Sequence, residues 1–456
     1  MKVLLLNPPG KNLYLRDYYC SKISKANYIN QPTDLLILSG IINQAHHVAV
    51  LDAVIENLDD RQTLSLIKAL SPDIIVFLTG SVSFSEDILF LEQVKKMIPA
   101  RLIGTGDIFM EDTVTLLEKY PCIDAVLLDF TTDDILKWMN NADCHNIVYR
   151  ENGKLKSKED KPRRTFKIPC PRHNLFKNNL YRYPFCKREP FATVLTSYGC
   201  PYKCSFCIMA NLPFKMRPVA DVIEELTFLK SLGIKEIYFN DQTFGIDRAR
   251  TQKLLNQMIP LDLTWVCFSR VDIVNADLLN LMKRAGCHTI MFGVESGNQT
   301  ILASTAKGIN KEEIMAAFAR CHQLNINTVG TFIIGLPGDR LSSCLDTIEF
   351  AKILPCDYAS FNVPVPRMRT HLRDYAIKKG LIENDLMVMD KSGHSIPMQN
   401  EFLTKHEIEK LHKKAYREFY LRPTYLVKRL LKIRTLTQLK NHIREGAALL
   451  SSTKIY

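Results

Sequence analysis

The residues best placed to do chemistry are three cysteines. The text Thr196-Ser-Tyr-Gly-Cys-Pro-Tyr-Lys-Cys-Ser-Phe-Cys sets Cys200, Cys204 and Cys207 in C-x3-C-x2-C spacing directly after a β-rich run. Iron–sulfur clusters are held by Cys thiolates, usually four, so three close ligands without a matching fourth would leave one iron open to a small molecule. Zinc is the competing metal, but a structural zinc site takes four ligands, commonly as paired C-x2-C or Cys/His couples, and no partner pair is evident. The bland alternative is three small apolar side chains in a core. The spacing, the Gly-Cys-Pro turn and the place at a strand end favour a cluster. Of the other ten cysteines, Cys267, Cys287, Cys321 and Cys344 fall within strand or helix patterns and read as core thiols.

A cluster needs a scaffold, and the chain supplies two β/α arrays. Between residues 1 and 140, β-rich runs at Val3 to Asn7, Val48 to Leu51, Asp73 to Leu78, Leu102 to Gly104 and Ala125 to Leu128 alternate with helix-period segments. This predicts a doubly wound, Rossmann-like or flavodoxin-like parallel sheet. Asp34 and Asp133 are the expected helix N-caps. Residues 141–189 are charged and proline-containing and read as a linker. From 190 to 370 six further βα units predict a partial (β/α)6 TIM-type barrel, with the three cysteines at its C-terminal mouth, where barrel enzymes place their reacting groups. Residues 371–456 read as a basic, mostly helical region.

Composition sets the wider limits. The chain has 456 residues, 46% hydrophobic and 24% charged, ordinary for a globular protein of about three domains. No apolar run reaches the roughly 18 to 20 residues needed to span a bilayer, and the opening Met-Lys-Val-Leu-Leu-Leu-Asn-Pro-Pro reads as a buried strand. Thirteen cysteines, an odd number, without an export signal suggest reduced thiols and a cytoplasmic protein. The net charge of +12 is concentrated from Glu401 to Tyr456, where 13 Lys and Arg stand against 5 Asp and Glu. The stretch from Phe419 to Arg434 interleaves Lys and Arg with Tyr, Leu and Ile. It suits contact with an anionic substrate or peripheral contact with a membrane surface, or else an amphipathic helix docked on the barrel with its basic groups solvated. No nucleic-acid motif accompanies the charge, so no nucleic-acid partner is expected.

The cysteine text resembles the signature of the radical S-adenosylmethionine (SAM) superfamily, C-x3-C-x-aromatic-C, with Phe206 in the aromatic place. Later strands agree. Tyr238-Phe-Asn-Asp-Gln-Thr-Phe, Ser269-Arg-Val-Asp, Gly293-Val-Glu-Ser-Gly and Gly335-Leu-Pro-Gly look like the second- to fifth-strand motifs of that superfamily. The resemblance covers roughly residues 190 to 370. It implies a 4Fe-4S cluster on Cys200, Cys204 and Cys207, whose open iron chelates SAM and whose electron cleaves it to a 5′-deoxyadenosyl radical. It also implies that Phe206 lies near the adenine, Asp241 near the methionine ammonium, Arg270 near its carboxylate and Glu295 near the polar part of SAM. A flavodoxin- or ferredoxin-type electron donor would be the partner.

A doubly wound domain ahead of such a barrel resembles the cobalamin-binding subclass, which implies cobalamin as a further cofactor. Ligands of open α/β sheets sit beyond the carboxyl ends of the strands. Asn7, Pro8, Gly10, Thr79, Gly80, Ser81, Gly104 and Gly106 are therefore the expected cobalamin contacts, the alternative being simple βα turns. The sequence lacks a D-x-H-x-x-G motif for a lower axial His. It carries Gly104-Thr-Gly-Asp where relatives have Gly-Gly-x-His, Asp129-Phe-Thr-Thr-Asp in place of a Gly-Glu-rich loop, and Pro364-Val-Pro-Arg-Met-Arg-Thr in place of Pro-x-Pro-Gly-Thr. The function implied is a cobalamin-dependent radical SAM methyltransferase acting on an unactivated centre of a small molecule, lipid precursor or peptide. A cyclase or rearranging enzyme with the same cofactors, and a non-catalytic cobalamin sensor or carrier with a structural cluster, are the alternatives.

Overall fold

A computed structural model describes residues 1–24, 28–110, 112–158, 163–383 and 396–432. The first array forms around β1 (Lys2–Asn7), whose residues Val3 to Leu6 are all buried, as expected for a parallel strand covered on both faces. After it come a two-strand hairpin, β2 (Tyr14–Leu15) and β3 (Lys22–Ile23), then β4 (His47–Asp52), β5 (Ile74–Leu78), β6 (Arg101–Thr105), β7 (Ala125–Leu127), β8 (Ile147–Glu151) and β9 (Lys154–Ser157). The seven-stranded sheet runs β4-β1-β5-β6-β7-β8-β9. Its first five strands are parallel in the flavodoxin-like order, and β8 and β9 add antiparallel.

The second array is an open six-stranded parallel arc. Its order is β10 (Phe191–Val194), β13 (Glu236–Phe239), β14 (Thr264–Ser269), β15 (Cys287–Glu295), β16 (Asn327–Ile333) and β17 (Tyr358–Asn362), with a short ribbon of β11 (Ser197–Tyr198) and β12 (Lys215–Met216) at its top. The α/β class and both sheets match the sequence expectation.

The region expected as a linker does more than connect. Residues 147–157 extend the first sheet, and Phe166, Ile168, Phe176, Tyr181 and Tyr183 join one core with residues of both sheets. Tyr183 stacks on Tyr238 inside the arc, ring centroids 4.2 Å apart, and its hydroxyl lies 3.2 Å from the Met291 sulfur. The polar text of 141–189 hid this because, beyond its two strands, its apolar residues are spaced irregularly and pack against residues of both sheets instead of lining a helix or strand. Residues 159–162 of that region lie outside the described residues.

The helix Lys405–Tyr420 begins with a Thr404/Glu407 capping box and lies along the outer edge strand. The Tyr416 hydroxyl donates to the Phe361 carbonyl, and the Tyr420 hydroxyl both accepts from the Ala359 amide and donates to its carbonyl. The open edge of the arc is thereby hydrogen-bonded and covered. The following helix Pro423–Lys432 departs from the expectation of an apolar face inward and basic groups solvated. Tyr425 and Arg429 turn inward, with the Arg429 guanidinium 4.0 Å from the Tyr358 ring centroid, while Leu426, Val427 and Leu431 are exposed. Residues 433–456, which include the end of the expected basic segment, lie outside the described residues. Among the described residues no helix is long and apolar enough to cross a membrane.

Candidate active site at the barrel mouth

The cysteine loop is the connection of a small hairpin. The pairing of β11 with β12 brings Ser197 opposite Met216 and Tyr198 opposite Lys215, so the three cysteines sit in a closed excursion above β10. Its entry is fixed by Gly199, at φ +72°, where a Cβ would lie 2.3 Å from the Pro213 carbonyl oxygen. Only glycine fits there. The loop is then clamped from two sides: the Ser205 amide donates to the Thr305 carbonyl, and the Leu372 amide donates to the Ser205 carbonyl, both at 2.9 Å.

The thiols occupy separate positions around this loop. Cys200 Sγ lies 3.7 Å from Thr243 Oγ1, and Cys204 Sγ lies 3.9 Å from an Arg270 guanidinium nitrogen. Burial pushes the Cys207 thiol up to about 12, with Cys204, Cys200 and Cys20 adding to the rise. Burial also raises Cys204, against the pull of Lys307 and Arg270, which favour its thiolate. Among the described residues no group of three or more His, Cys, Asp and Glu side chains is gathered around one point to hold a single ion. Ligands of a cubic cluster bind its separate corners and need not converge in that way.

Arg270 and Glu295 come to this loop. Arg270 is buried, donates through Nε and Nη2 to the Asp272 carboxylate at 2.9 Å each, and stacks with its guanidinium carbon 3.6 Å from the Tyr202 ring centroid. Its Nη2 also donates to the Lys307 carbonyl at 2.6 Å. Glu295 ends β15 at a register shift and takes φ +66°, a conformation that a non-glycine residue keeps only when its surroundings enforce it. The enforcement is Lys307, whose ammonium donates to Glu295 Oε1 and to the Gly293 carbonyl. Lys307 and Tyr202 escaped the sequence analysis. Lys307 lies 12 residues beyond Glu295, and only the tertiary turn through Ala306 and Gly308, both at positive φ, returns it to the site. Phe206 packs between Ile301, Ile333 and Leu336 on one side and Leu372 and Ala376 on the other.

Asp241 behaves differently from the expectation of an acid free for an ammonium. Its carboxylate accepts from the Thr196 amide and hydroxyl at 2.6 Å each, and from the Ser197 amide and hydroxyl at 3.1 and 3.0 Å. It is buried and tied to the strand that leads into the cysteine loop.

At the first sheet the expected contacts are consumed internally. Arg16 is fully buried with Asp87 at 2.6 Å. Its guanidinium also donates to Asn7 Oδ1 and the Pro8 carbonyl at 2.8 Å and to the Pro9 carbonyl at 3.2 Å. The Thr79 hydroxyl donates to Asp87, and Asp107 accepts from the Ser81 amide and from the Ser21 amide and hydroxyl. A Cβ on Gly10 would meet the Tyr14 ring at 2.5 Å, one on Gly80 would meet Ser21 at 2.3 Å, one on Gly104 would meet Phe109 at 2.6 Å, and one on Gly106 would meet the Thr79 carbonyl oxygen at 1.7 Å. The segment from Gly10 to Ser24 is a strap across these strand ends; Asn7, Pro8, Gly10, Gly80 and Ser81 pack on or bond to it, whereas Thr79, Gly104 and Gly106 pack against Asp87, Phe109 and the Thr79 backbone. The unusual Asp107 is one of its anchors. The unusual Asp129 pairs with buried Lys215, joining the first sheet to the ribbon under the cysteine loop.

Comparison with known proteins fits this geometry. Residues 194–351 match the model of the radical SAM superfamily. A Pyrococcus horikoshii protein described as an uncharacterized methyltransferase is 32% identical over 450 residues, covering 94% of each chain. The chain belongs to the radical SAM superfamily. The solved structure of the radical SAM methyltransferase TsrM from Kitasatospora setae, with cobalamin and a [4Fe-4S] cluster bound, superposes with a TM-score of 0.71 at 15% identity, covering 100% of this chain and 99% of that one. The cobalamin-dependent radical SAM enzyme OxsB, with aqua-cobalamin and SAM bound, gives 0.69 at 17% identity, covering 99% and 72%.

The residues at the mouth fit the superfamily's cofactors, a 4Fe-4S cluster and SAM. Three sulfur donors stand on one loop, and the two half-buried thiols whose pKa values are raised, Cys204 and Cys207, need the positive charge of a metal to persist as thiolates. Beside them the radical SAM chain sets two cations, two acids and an apolar wall, the set that a zwitterionic amino-acid end and a flat heteroaromatic base require.

Proposed function

We propose that this radical SAM enzyme is a cobalamin-dependent methyltransferase whose 4Fe-4S cluster is held by Cys200, Cys204 and Cys207. The observation that carries the reading is the cysteine loop clamped at the mouth of the barrel, with Arg270 against Cys204 and the Glu295–Lys307 pair beside it. The 32% identical relative described as a methyltransferase supports the reaction class. The fold shared with two cobalamin-bound structures supports the third cofactor. When bound, the cluster supplies the electron that cleaves SAM, and cobalamin supplies a methyl carrier.

The chain's own residues do the positioning. Arg270, held flat by Tyr202 and Asp272, presents cationic charge for a carboxylate. Glu295, held by Lys307, offers its carboxylate to an ammonium, and Phe206 with Ile333 and Leu336 forms the apolar wall for the adenine. Asp241 is a positioning residue: it locks Thr196 and Ser197 and so the start of the cysteine loop. In this reading residues 1–140 form the core of a cobalamin domain, 190–370 the catalytic barrel and 371–456 its C-terminal cover, with 141–189 as a packed connection. A flavodoxin- or ferredoxin-type protein delivers the electron.

Anaerobic reconstitution with iron, sulfide, SAM, cobalamin and a chemical reductant tests the reading. Formation of 5′-deoxyadenosine or another SAM cleavage product, together with a substrate mass gain of one methylene, is the expected outcome. Cleavage with loss or shift of hydrogen and no added methylene would move the enzyme to the cyclase class.

A further inference from the structure

The turn that follows β13 is fixed at both ends. The Asn240 amide donates to the Val194 carbonyl of β10 at 2.9 Å, and the Phe244 amide donates to the Phe268 carbonyl of β14 at 2.8 Å. Phe244 is buried against Phe239 and Trp265, with ring centroids 5.2 and 5.1 Å away. Asp241 adds its four bonds to Thr196 and Ser197. Thr243 stands on this turn, 4% exposed. Threonine is β-branched and stiff about χ1, so packing around it fixes where its hydroxyl lies before any ligand arrives.

A buried hydroxyl needs a partner. Among the described residues the Thr243 hydroxyl bonds to one group, the Cys200 sulfur at 3.7 Å. With a free thiol either atom could donate. A cysteine bound to iron is a thiolate with no proton to give, so on a loaded loop the hydroxyl is the donor and the sulfur the acceptor. The other two sulfurs are served by groups of different kinds. Cys204 faces an Arg270 guanidinium nitrogen at 3.9 Å, and Cys207 accepts from the Met209 amide. Arg270 is also committed to Asp272 and to the Lys307 carbonyl, whereas the Thr243 hydroxyl is committed to sulfur alone.

Hydrogen bonds to the sulfurs of an iron–sulfur cluster help set its reduction potential: they favour the reduced state, in which the sulfurs carry more negative charge. We infer that Thr243 raises the reduction potential of the cluster by donating its hydroxyl to Cys200 Sγ, and so eases the entry of the electron. The donor protein gives up one electron to the cluster, with no bond made or broken. Thr243 acts through Cys200 and does not touch substrate or SAM. The inference rests on the cluster of the proposed function and holds equally for methyl transfer and for cyclisation.

The test is a redox titration followed by EPR, with dye mediators and dithionite, on full-length protein reconstituted anaerobically with iron and sulfide and without SAM. Thr243→Val removes the hydroxyl at nearly constant shape. At a fixed applied potential it should lower the ratio of reduced to oxidised cluster by about tenfold, which is about 59 mV for a one-electron couple. Thr243→Ser keeps the hydroxyl and should stay within about threefold of the parent. Iron and sulfide content should match the parent in both variants. An unchanged potential in Thr243→Val would overturn the inference while leaving the proposed function standing. A Thr243→Val protein that takes up less iron would overturn it too, because the hydroxyl would then be building the loop and not tuning its sulfur. A parent protein that takes up no cluster would overturn the proposed function, and the inference with it.

Discussion

The strand ends of the barrel and those of the first sheet are topologically equivalent places, yet they hold their polar side chains in opposite ways. At the barrel mouth Arg270 reaches the Lys307 carbonyl and the Cys204 sulfur, and Lys307 pairs with Glu295, so these side chains are held beside the cysteine loop and not by a strap across it. At the first sheet Asn7 and Asp107 are bonded to a strap, Thr79 and Ser81 are bonded to the acids Asp87 and Asp107 that hold it, and Arg16 is driven into the middle of them. The difference teaches that position at the carboxyl end of a parallel strand creates the opportunity for a ligand site, and that the loop crossing it decides whether the opportunity stays open. In the barrel the loop brings three thiols; in the sheet it brings a plug.

The comparison breaks most completely at the cysteines. Replacing Cys200, Cys204 or Cys207 singly with Ala should abolish the iron–sulfur absorbance and SAM cleavage while leaving the circular dichroism unchanged; retained cleavage by any of them would remove that cysteine from the ligand set. A charge removed from each region should then separate the two. Arg16→Met leaves Asp87 buried without its cation and should cost about 3 to 5 kcal/mol of stability in urea unfolding. Arg270→Met should instead appear as SAM affinity weakened by about tenfold to a hundredfold, with a smaller loss of stability. If Arg16→Met unfolds normally, the strap is not the structural element described above.

Asp241→Ala sits between the two behaviours. It strips the bonds from Thr196 and Ser197 and should cost about 2 to 4 kcal/mol and make the cluster labile to chelators, measured as iron release. The smallest effect concerns pH. Burial raises Asp17 from the ordinary carboxylate range to about 7. The folded chain then binds this proton more tightly than the unfolded chain, so the contribution of Asp17 is full below about pH 4 and is lost as the pH rises towards 7. Asp17→Asn should flatten that decline in unfolding experiments between pH 5 and pH 8 relative to the parent, and an identical slope would show that Asp17 titrates normally.

Much of the catalytic half was legible before any coordinates. The Gly-Cys-Pro turn and the cysteine spacing are local, and the βα alternation follows from period-2 and period-3.6 patterns that need no distant partner. What escaped was non-local. Lys307 was invisible because it becomes a site residue only through its approach to Glu295. Asp241 looked available because its four bonds come from a strand more than 40 residues earlier. Residues 141–189 looked like a linker because apolar residues that fill the seam between two sheets, as Phe166 to Tyr183 do, follow no period along the sequence. Asp34 looked like a cap because an acid before an apolar helix usually is one; Pro32 holds that position, and Asp34 sits buried in the first turn.

The sequence by itself determined the two β/α arrays, the cysteine loop and the membership that they announce, since each rests on short-range pattern and on residue chemistry. Only the tertiary structure decided which polar residues are spent and which are left over. That accounting depends on which segments cross in space: Arg16 meets Asp87 across 71 positions, and Tyr18 meets Tyr198 across the seam. A buried polar group is satisfied or orphaned by its neighbours in space, and neighbours along the chain do not reveal them.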